Sequence, residues 1–180
     1  MGGFSIDIMR FFWISDDGKD DPEDLCLHGE VVGQVGSDRF EEACSVSAAA
    51  LYLLRTLDED YPNEHRVRNQ MLPCCGHAMF ACEDGESVDI IGCPNGTDWT
   101  VRHTVDGLEL ETENGIKAIV PFEEYKAIVF AFADKVKTYY DQCQLKVLPE
   151  EDWERDGYLA FWHEWARRRQ IGRASCRERV

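Results

Sequence analysis

The sequence predicts an α+β fold: a mostly antiparallel sheet of about six strands, with two to three helices packed on one face. Three observations carry this expectation. The turn dipeptides Asp84-Gly85, Asp106-Gly107 and Asn114-Gly115 follow one another closely, each between runs of β-forming residues, which is the pattern of an antiparallel meander. Apolar residues recur at helical spacing in two segments, 46–57 and 122–140. Hydrophobic residues make up 44% and charged residues 30% of the chain, the balance of a globular domain rather than of a disordered acidic one. A chain of 180 residues fits one domain and buries enough apolar surface to fold without disulfides or metals.

Each element has its own justification. Residues 4–15 are rich in apolar and aromatic side chains, including Phe11, Phe12 and Trp13, and read as a first strand. Residues 16–24 form an acidic loop with Gly18 and Pro22. Residues 25–35 read as a second strand centred on Val31 and Val32, with Gly33 and Gly36 marking a bulge or turn. A short third strand fits residues 40–44. Ser45 is placed to cap a helix over 46–57, where Val46, Ala49, Ala50, Leu53, Leu54 and Leu57 share one face. An acidic loop broken by Pro62 follows, and residues 71–76 read as irregular.

The three hairpin turns then join strands over 78–83 and 88–93, over 99–105 and 108–112, and on to 116–120. Pro121 suits the first turn of a long helix, and Glu123 and Glu124 suit the positive end of its dipole. Its stripe of Phe122, Tyr125, Ile128, Val129, Phe132, Val136 and Tyr139 or Tyr140 reads as core. A last helix over 150–169 carries acids in its first turn and Arg167, Arg168 and Arg169 in its last. His103 alternates with Val101 and Val105 and reads as a structural histidine of the sheet.

The charge narrows the function. Nineteen basic residues against 35 acidic ones give a net charge of -16 and a pI near 4.6. That argues against a nucleic-acid partner, whose phosphates are held by clustered Lys and Arg, and favours a basic protein partner or none. No stretch reaches the ~18 apolar residues of a membrane span, and the first ten residues lack the order of a signal peptide. A cytoplasmic protein with reduced thiols is the expectation.

Residues 171–180, IGRASCRERV, resemble the translated start of a widely used short-read sequencing adapter. The natural domain is therefore expected over residues 1–170, with a non-native tail and the natural C-terminus missing. Setting the tail aside removes three arginines, one glutamate and Cys176, which leaves a net charge of -18. It also leaves an odd set of cysteines: Cys26, Cys44, Cys74, Cys75, Cys82, Cys93 and Cys143. A secreted disulfide framework normally shows an even number.

Two kinds of site follow from the residues. Asp16, Asp17, Asp20, Asp21, Glu23 and Asp24 crowd one loop and form the first partner-binding surface to consider, because an acidic field speeds and selects docking of a basic partner. The aromatic helix bearing Trp153, Trp162 and Trp165 is the second. A thiol and imidazole set offers zinc: Cys74, His77 and Cys93, with Cys26 or His28 as the fourth ligand. Against this stands the reading that Cys26, Cys75, Cys82 and Cys93 are buried thiols on strand faces. No cofactor is expected on that reading.

His28-Gly29-Glu30 with Pro73-Cys74-Cys75-Gly76-His77 resembles the zinc nucleobase deaminase signature. That resemblance implies His28, Cys74 and His77 as ligands and Glu30 as the acid/base, although His28 sits in an apparent strand where the family opens a helix. The segments Asp21-Pro22-Glu23-Asp24-Leu25-Cys26-Leu27-His28-Gly29, Leu72-Pro73-Cys74-Cys75-Gly76-His77, Gly92-Cys93-Pro94-Asn95-Gly96-Thr97-Asp98-Trp99 and the helix starting Pro121-Phe122-Glu123-Glu124-Tyr125-Lys126 resemble small bacterial proteins of the immunity type, encoded beside polymorphic or contact-dependent toxins. This resemblance implies a small acidic cytosolic inhibitor, without turnover, that neutralises a basic toxin such as a nuclease. A zinc protein or zinc-dependent hydrolase using the Cys/His cluster is the alternative.

Overall fold

The structure is a computed structural model that describes residues 3–14, 19–61, 70–76 and 78–174, with side chains described as far as residue 170. The α+β class holds. Among the described residues there are three helices, and about ten strands that fall into four small antiparallel sheets rather than one sheet of six.

The first sheet is a meander of β1 (Phe4–Phe12), β2 (His28–Val35) and β3 (Asp38–Ser45). Its register pairs Phe4 with Val35 and Val35 with Asp38, and a bulge at Met9 turns that side chain to solvent. The second strand starts at His28 rather than 25, because Asp24 and Cys26 belong to the tight connection before it. Ser45 ends β3 and caps α1 (Val46–Arg55), its hydroxyl accepting from the Ala48 N–H at 3.4 Å.

The helix α1 departs from the one-sided amphipathic expectation. Every residue from Val46 to Leu54 is buried. The positions between the predicted stripe are Ser47, Ala48, Leu51 and Tyr52, so no charged face existed to turn outward. The helix therefore threads the middle of the molecule, with elements packed around it.

β4 (Leu72–Pro73) pairs with β7 (Gly96–Thr97), a two-residue match in a region read from sequence as irregular. The hairpin β5 (Ala78–Ala81) and β6 (Val88–Ile91) stands as its own sheet. The remaining two turns build β8 (Trp99–Thr104), β9 (Gly107–Thr112) and β10 (Lys117–Val120) as a second meander. The two three-stranded sheets meet at Trp99, whose ring stacks on Phe40 at 5.3 Å and lies 5.9 Å from Phe4. Trp99 is 1% exposed, and truncating such a residue costs about 3–5 kcal/mol.

α2 (Phe122–Gln142) buries Tyr125, Val129, Phe132, Ala133, Val136 and Tyr140, most of the predicted stripe. α3 (Asp152–Ala174) crosses β5 so closely that a Cβ at Gly157 would fall 1.9 Å from the Met79 carbonyl oxygen, so only glycine fits there. The helix runs into the segment read as an adapter-derived tail. Its inner face carries Tyr158, Phe161 and Trp165 and the charged pair Glu164 and Arg168.

Glu164 locks three elements together. Its carboxylate accepts from Arg55 Nε and Nη2 at 2.8 and 2.7 Å, from Arg168 Nε at 2.7 Å and from the Val88 N–H at 3.0 Å. Arg168 reaches on to Asp58 and Glu59. Burial pushes the Glu164 carboxyl up, but these cations and hydrogen bonds hold it below the ordinary range.

Candidate functional site

The thiols come together in a different set from the one the sequence suggested. Cys74 follows β4 and Cys93 lies shortly before β7, so the β4–β7 pairing brings them face to face, and they form a disulfide. Cys75 completes the group: the sulfurs of Cys74, Cys75 and Cys93 all lie within 4.8 Å of one another. The Cys93 N–H donates to Cys75 Sγ at 3.1 Å. The expectation of wholly reduced thiols is thus corrected for this pair. The three residues are half-buried, as is Cys82, so among the four thiols read as buried on strand faces only Cys26 is buried, and it lies in the connection before β2 rather than on a strand.

The proposed fourth ligands are engaged elsewhere. Cys26 lies before β2, with its sulfur 2.9 Å from Ser45 Oγ and 3.4 Å from the Gly76 carbonyl oxygen. Burial, only partly offset by the serine hydroxyls, pushes its thiol up to about 11, so it stays protonated at neutral pH. His28 is buried at the start of β2, with Nδ1 against the Cys26 carbonyl oxygen at 2.9 Å. His77 lies outside the described residues. Glu30, the acid/base of the deaminase-like pattern, pairs with Arg10 of β1 at 2.5 Å; that arginine holds its carboxyl below the ordinary range, the wrong direction for a proton donor at neutral pH.

Part of the acidic loop is tied into the fold. Asp16 and Asp17 lie outside the described residues. Asp20 accepts from Lys146 Nζ at 2.7 Å and from the Gln144 N–H. Lys146 itself is buried over the Trp13 ring, 3.4 Å from its centroid. Asp24 accepts from the Ile14 and Cys26 N–H groups, both at 3.0 Å, and Asp21 from the Glu23 N–H at 2.9 Å. Asp20 therefore fastens the β1–β2 connection to the chain after α2, while Asp21 and Asp24 tie that connection to itself. Glu23 is exposed.

A second acidic surface stands free at the β5–β6 hairpin. The antiparallel register places Phe80 opposite Asp89 and Ala78 opposite Ile91. Phe80 is 39% exposed and Ile91 41%, on the outer face opposite the buried Met79 and Ile90. Trp153, at the start of α3 and 45% exposed, stacks on Phe80 with ring centroids 5.0 Å apart and planes 16° apart. Glu83, Glu86 and Asp89 are exposed on the hairpin, and Glu150, Glu151, Asp152 and Glu154 flank Trp153 in sequence. Asp84 is held within the turn by Glu86 and Ser87.

A groove of about 560 Å³ runs between α2, α3 and residues 143–146, a volume typical of small-molecule sites. Tyr140, Trp162 and Trp165 supply aromatic faces. Its cations are already engaged: Arg169 with Asp134, Lys137 with Asp141 and Lys146 with Asp20.

Sequence reading placed Trp153, Trp162 and Trp165 on one aromatic helix but did not separate Trp153, which faces the hairpin, from the other two, which line the groove. It named Cys74 and Cys93 and left out Cys75. His103 is held by Asp60, which accepts from both its backbone N–H and its ring. No described helix is long and apolar enough to cross a membrane. Comparison with protein-family models, curated proteins and solved structures finds no match for the chain.

Proposed function

We propose that the chain is a cytoplasmic binding module that captures a basic protein, an immunity-type inhibitor of a cationic toxin such as a nuclease, and that it docks through the β5–β6 hairpin and the start of α3. The observation that carries this reading is the exposed Phe80–Trp153 stack beside Glu83, Glu86 and Asp89. Aromatic anchors with a charged rim are what a protein interface uses: the rings exclude water and supply affinity, and the carboxylates steer the partner in. The net charge of -16 supports the same direction of attraction. Asp20, Asp21 and Asp24 are hydrogen-bonded within the fold and are less available to a partner.

The test is association of the full chain with the basic protein encoded beside its gene. Glu83→Gln, Glu86→Gln and Asp89→Asn together are expected to slow association about tenfold at low salt and to flatten its salt dependence. Trp153→Ala is expected to speed dissociation instead. Salt-independent association, or a triple variant that associates as fast as the parent, would remove the hairpin from the interface.

A further inference from the structure

We infer that Cys74, Cys75 and Cys93 form a redox-gated site for a soft divalent cation such as zinc, bound by three thiolates when the cluster is reduced and excluded when Cys74 and Cys93 are joined. This inference is independent of the inhibitor reading.

A disulfide uses two sulfurs, and this cluster holds three within 4.8 Å. Zinc–thiolate bonds of about 2.3 Å in a tetrahedral arrangement set sulfur–sulfur separations of about 3.8 Å, and the three sulfurs already lie within 4.8 Å of one another. The backbone that carries the sulfurs is tied without the disulfide. Leu72 pairs with Thr97 and Pro73 with Gly96, and the Cys74 N–H donates to the Asn95 carbonyl at 3.0 Å. Gly92 approaches Cys75 so closely that a Cβ there would lie 2.3 Å from the Cys75 carbonyl oxygen. Reduction therefore leaves the three thiols facing one another.

The Cys93 N–H that donates to Cys75 Sγ orients this third sulfur, as outer hydrogen bonds do for metal-bound thiolates. All three residues are half-buried, so ion and oxidant can both reach them. An all-sulfur donor set selects zinc or another soft ion over magnesium or calcium. Three protein ligands leave the fourth position to water or an added ligand.

With hydrogen peroxide as oxidant, the gating step balances. The Cys74 thiolate attacks peroxide, forming a sulfenic acid and releasing hydroxide. The Cys93 thiolate then attacks that sulfur, forming the disulfide and releasing a second hydroxide. Two electrons have passed from the sulfurs to peroxide, both hydroxides are protonated to water, and the cation leaves as Cys75 takes up a proton. A dithiol reductant reverses the oxidation.

The experiment titrates the reduced full chain with cobalt(II) and zinc(II) under anaerobic conditions. The expected result is roughly one equivalent bound, with a thiolate-to-cobalt charge-transfer band, and a melting temperature that falls when a chelator is added. Peroxide should abolish the band, release the metal, lower the mass by two hydrogens and link Cys74 to Cys93 in a peptide map. Cys75→Ser should still form that disulfide but bind cobalt about tenfold or more weakly, whereas Cys82→Ser should bind as the parent does. The inference is overturned if the reduced parent takes up no cobalt, if Cys75→Ser binds as tightly as the parent, or if metal stays bound after the disulfide has formed. The first and last of these need no variant, so a folding defect in Cys75→Ser leaves the test decisive.

Discussion

Two acidic segments of this chain, residues 20–24 and residues 83–89, end in opposite roles. In the first, Asp20 and Asp24 turn their oxygens toward Lys146 and toward the N–H groups of Ile14 and Cys26. In the second, Glu83, Glu86 and Asp89 stand exposed beside an aromatic stack. The difference lies in what each backbone is near. The first segment closes a connection whose N–H groups lack strand partners, and a carboxylate is the cheapest acceptor for them. The second sits at the tip of a hairpin whose own turn satisfies its backbone through Asp84. A run of acid in sequence therefore says nothing about which carboxylates remain free for a partner.

The sharpest way to break this comparison is to remove an acid that is wholly internal. Glu164→Ala leaves Arg55 without its counter-charge and Arg168 with only Asp58 and Glu59, and the expected loss is about 3–5 kcal/mol, read from urea unfolding. Asp20→Ala leaves the Lys146 ammonium buried against Trp13, with an expected loss of about 2 kcal/mol by the same measurement. An Asp20→Ala variant as stable as the parent would return the loop to the solvent side of the comparison.

Acid titration sharpens the same contrast. Burial raises the Glu164 and Asp20 carboxyls, but their cationic partners outweigh it and hold both below the ordinary range. A carboxyl lowered in the folded state contributes stability that is present above its unfolded pKa and is lost as pH falls through its folded one. The unfolding midpoint should therefore drop as pH falls below about 4.5, and Glu164→Gln should flatten that drop. Asp58 works in the other direction, because burial raises its carboxyl. A parent whose stability is flat down to strong acid would show that these internal pairs contribute little. The smallest effect is expected from Glu83→Gln, Glu86→Gln and Asp89→Asn, each within ~0.5 kcal/mol of the parent in stability. A larger loss there would mean that the hairpin acids are structural too.

Much of the local structure was legible. The Asp84-Gly85, Asp106-Gly107 and Asn114-Gly115 turns each lie where two strands meet, and Ser45 caps the helix it was read to cap. These succeed because turn and cap chemistry is settled within a few residues. The site was legible only in part. Cys74 and Cys93 were singled out from their turn-like surroundings. Cys75 was set aside as a core thiol, since nothing adjacent to it shows that β7 will bring Cys93 alongside. The pairing of Cys26 and His28 with the cluster failed for a related reason. A one-strand periodicity can put two residues on a face, but not decide what that face meets.

By itself, then, the sequence determined the α+β class, the order of hairpins and helices, and the long-range negative field, because these follow from local propensity and from a sum over charges. Only the tertiary structure decided that the strands divide among four sheets, that α1 is buried from Val46 to Leu54, that Asp20, Asp21 and Asp24 are hydrogen-bonded into the fold while Glu83, Glu86 and Asp89 are exposed, and that Cys75 joins Cys74 and Cys93. Each of those outcomes depends on contacts between residues far apart in the chain, such as Leu72 with Thr97 and Arg55 with Glu164. Such contacts are selected by how all the elements pack at once, and no local pattern encodes that choice.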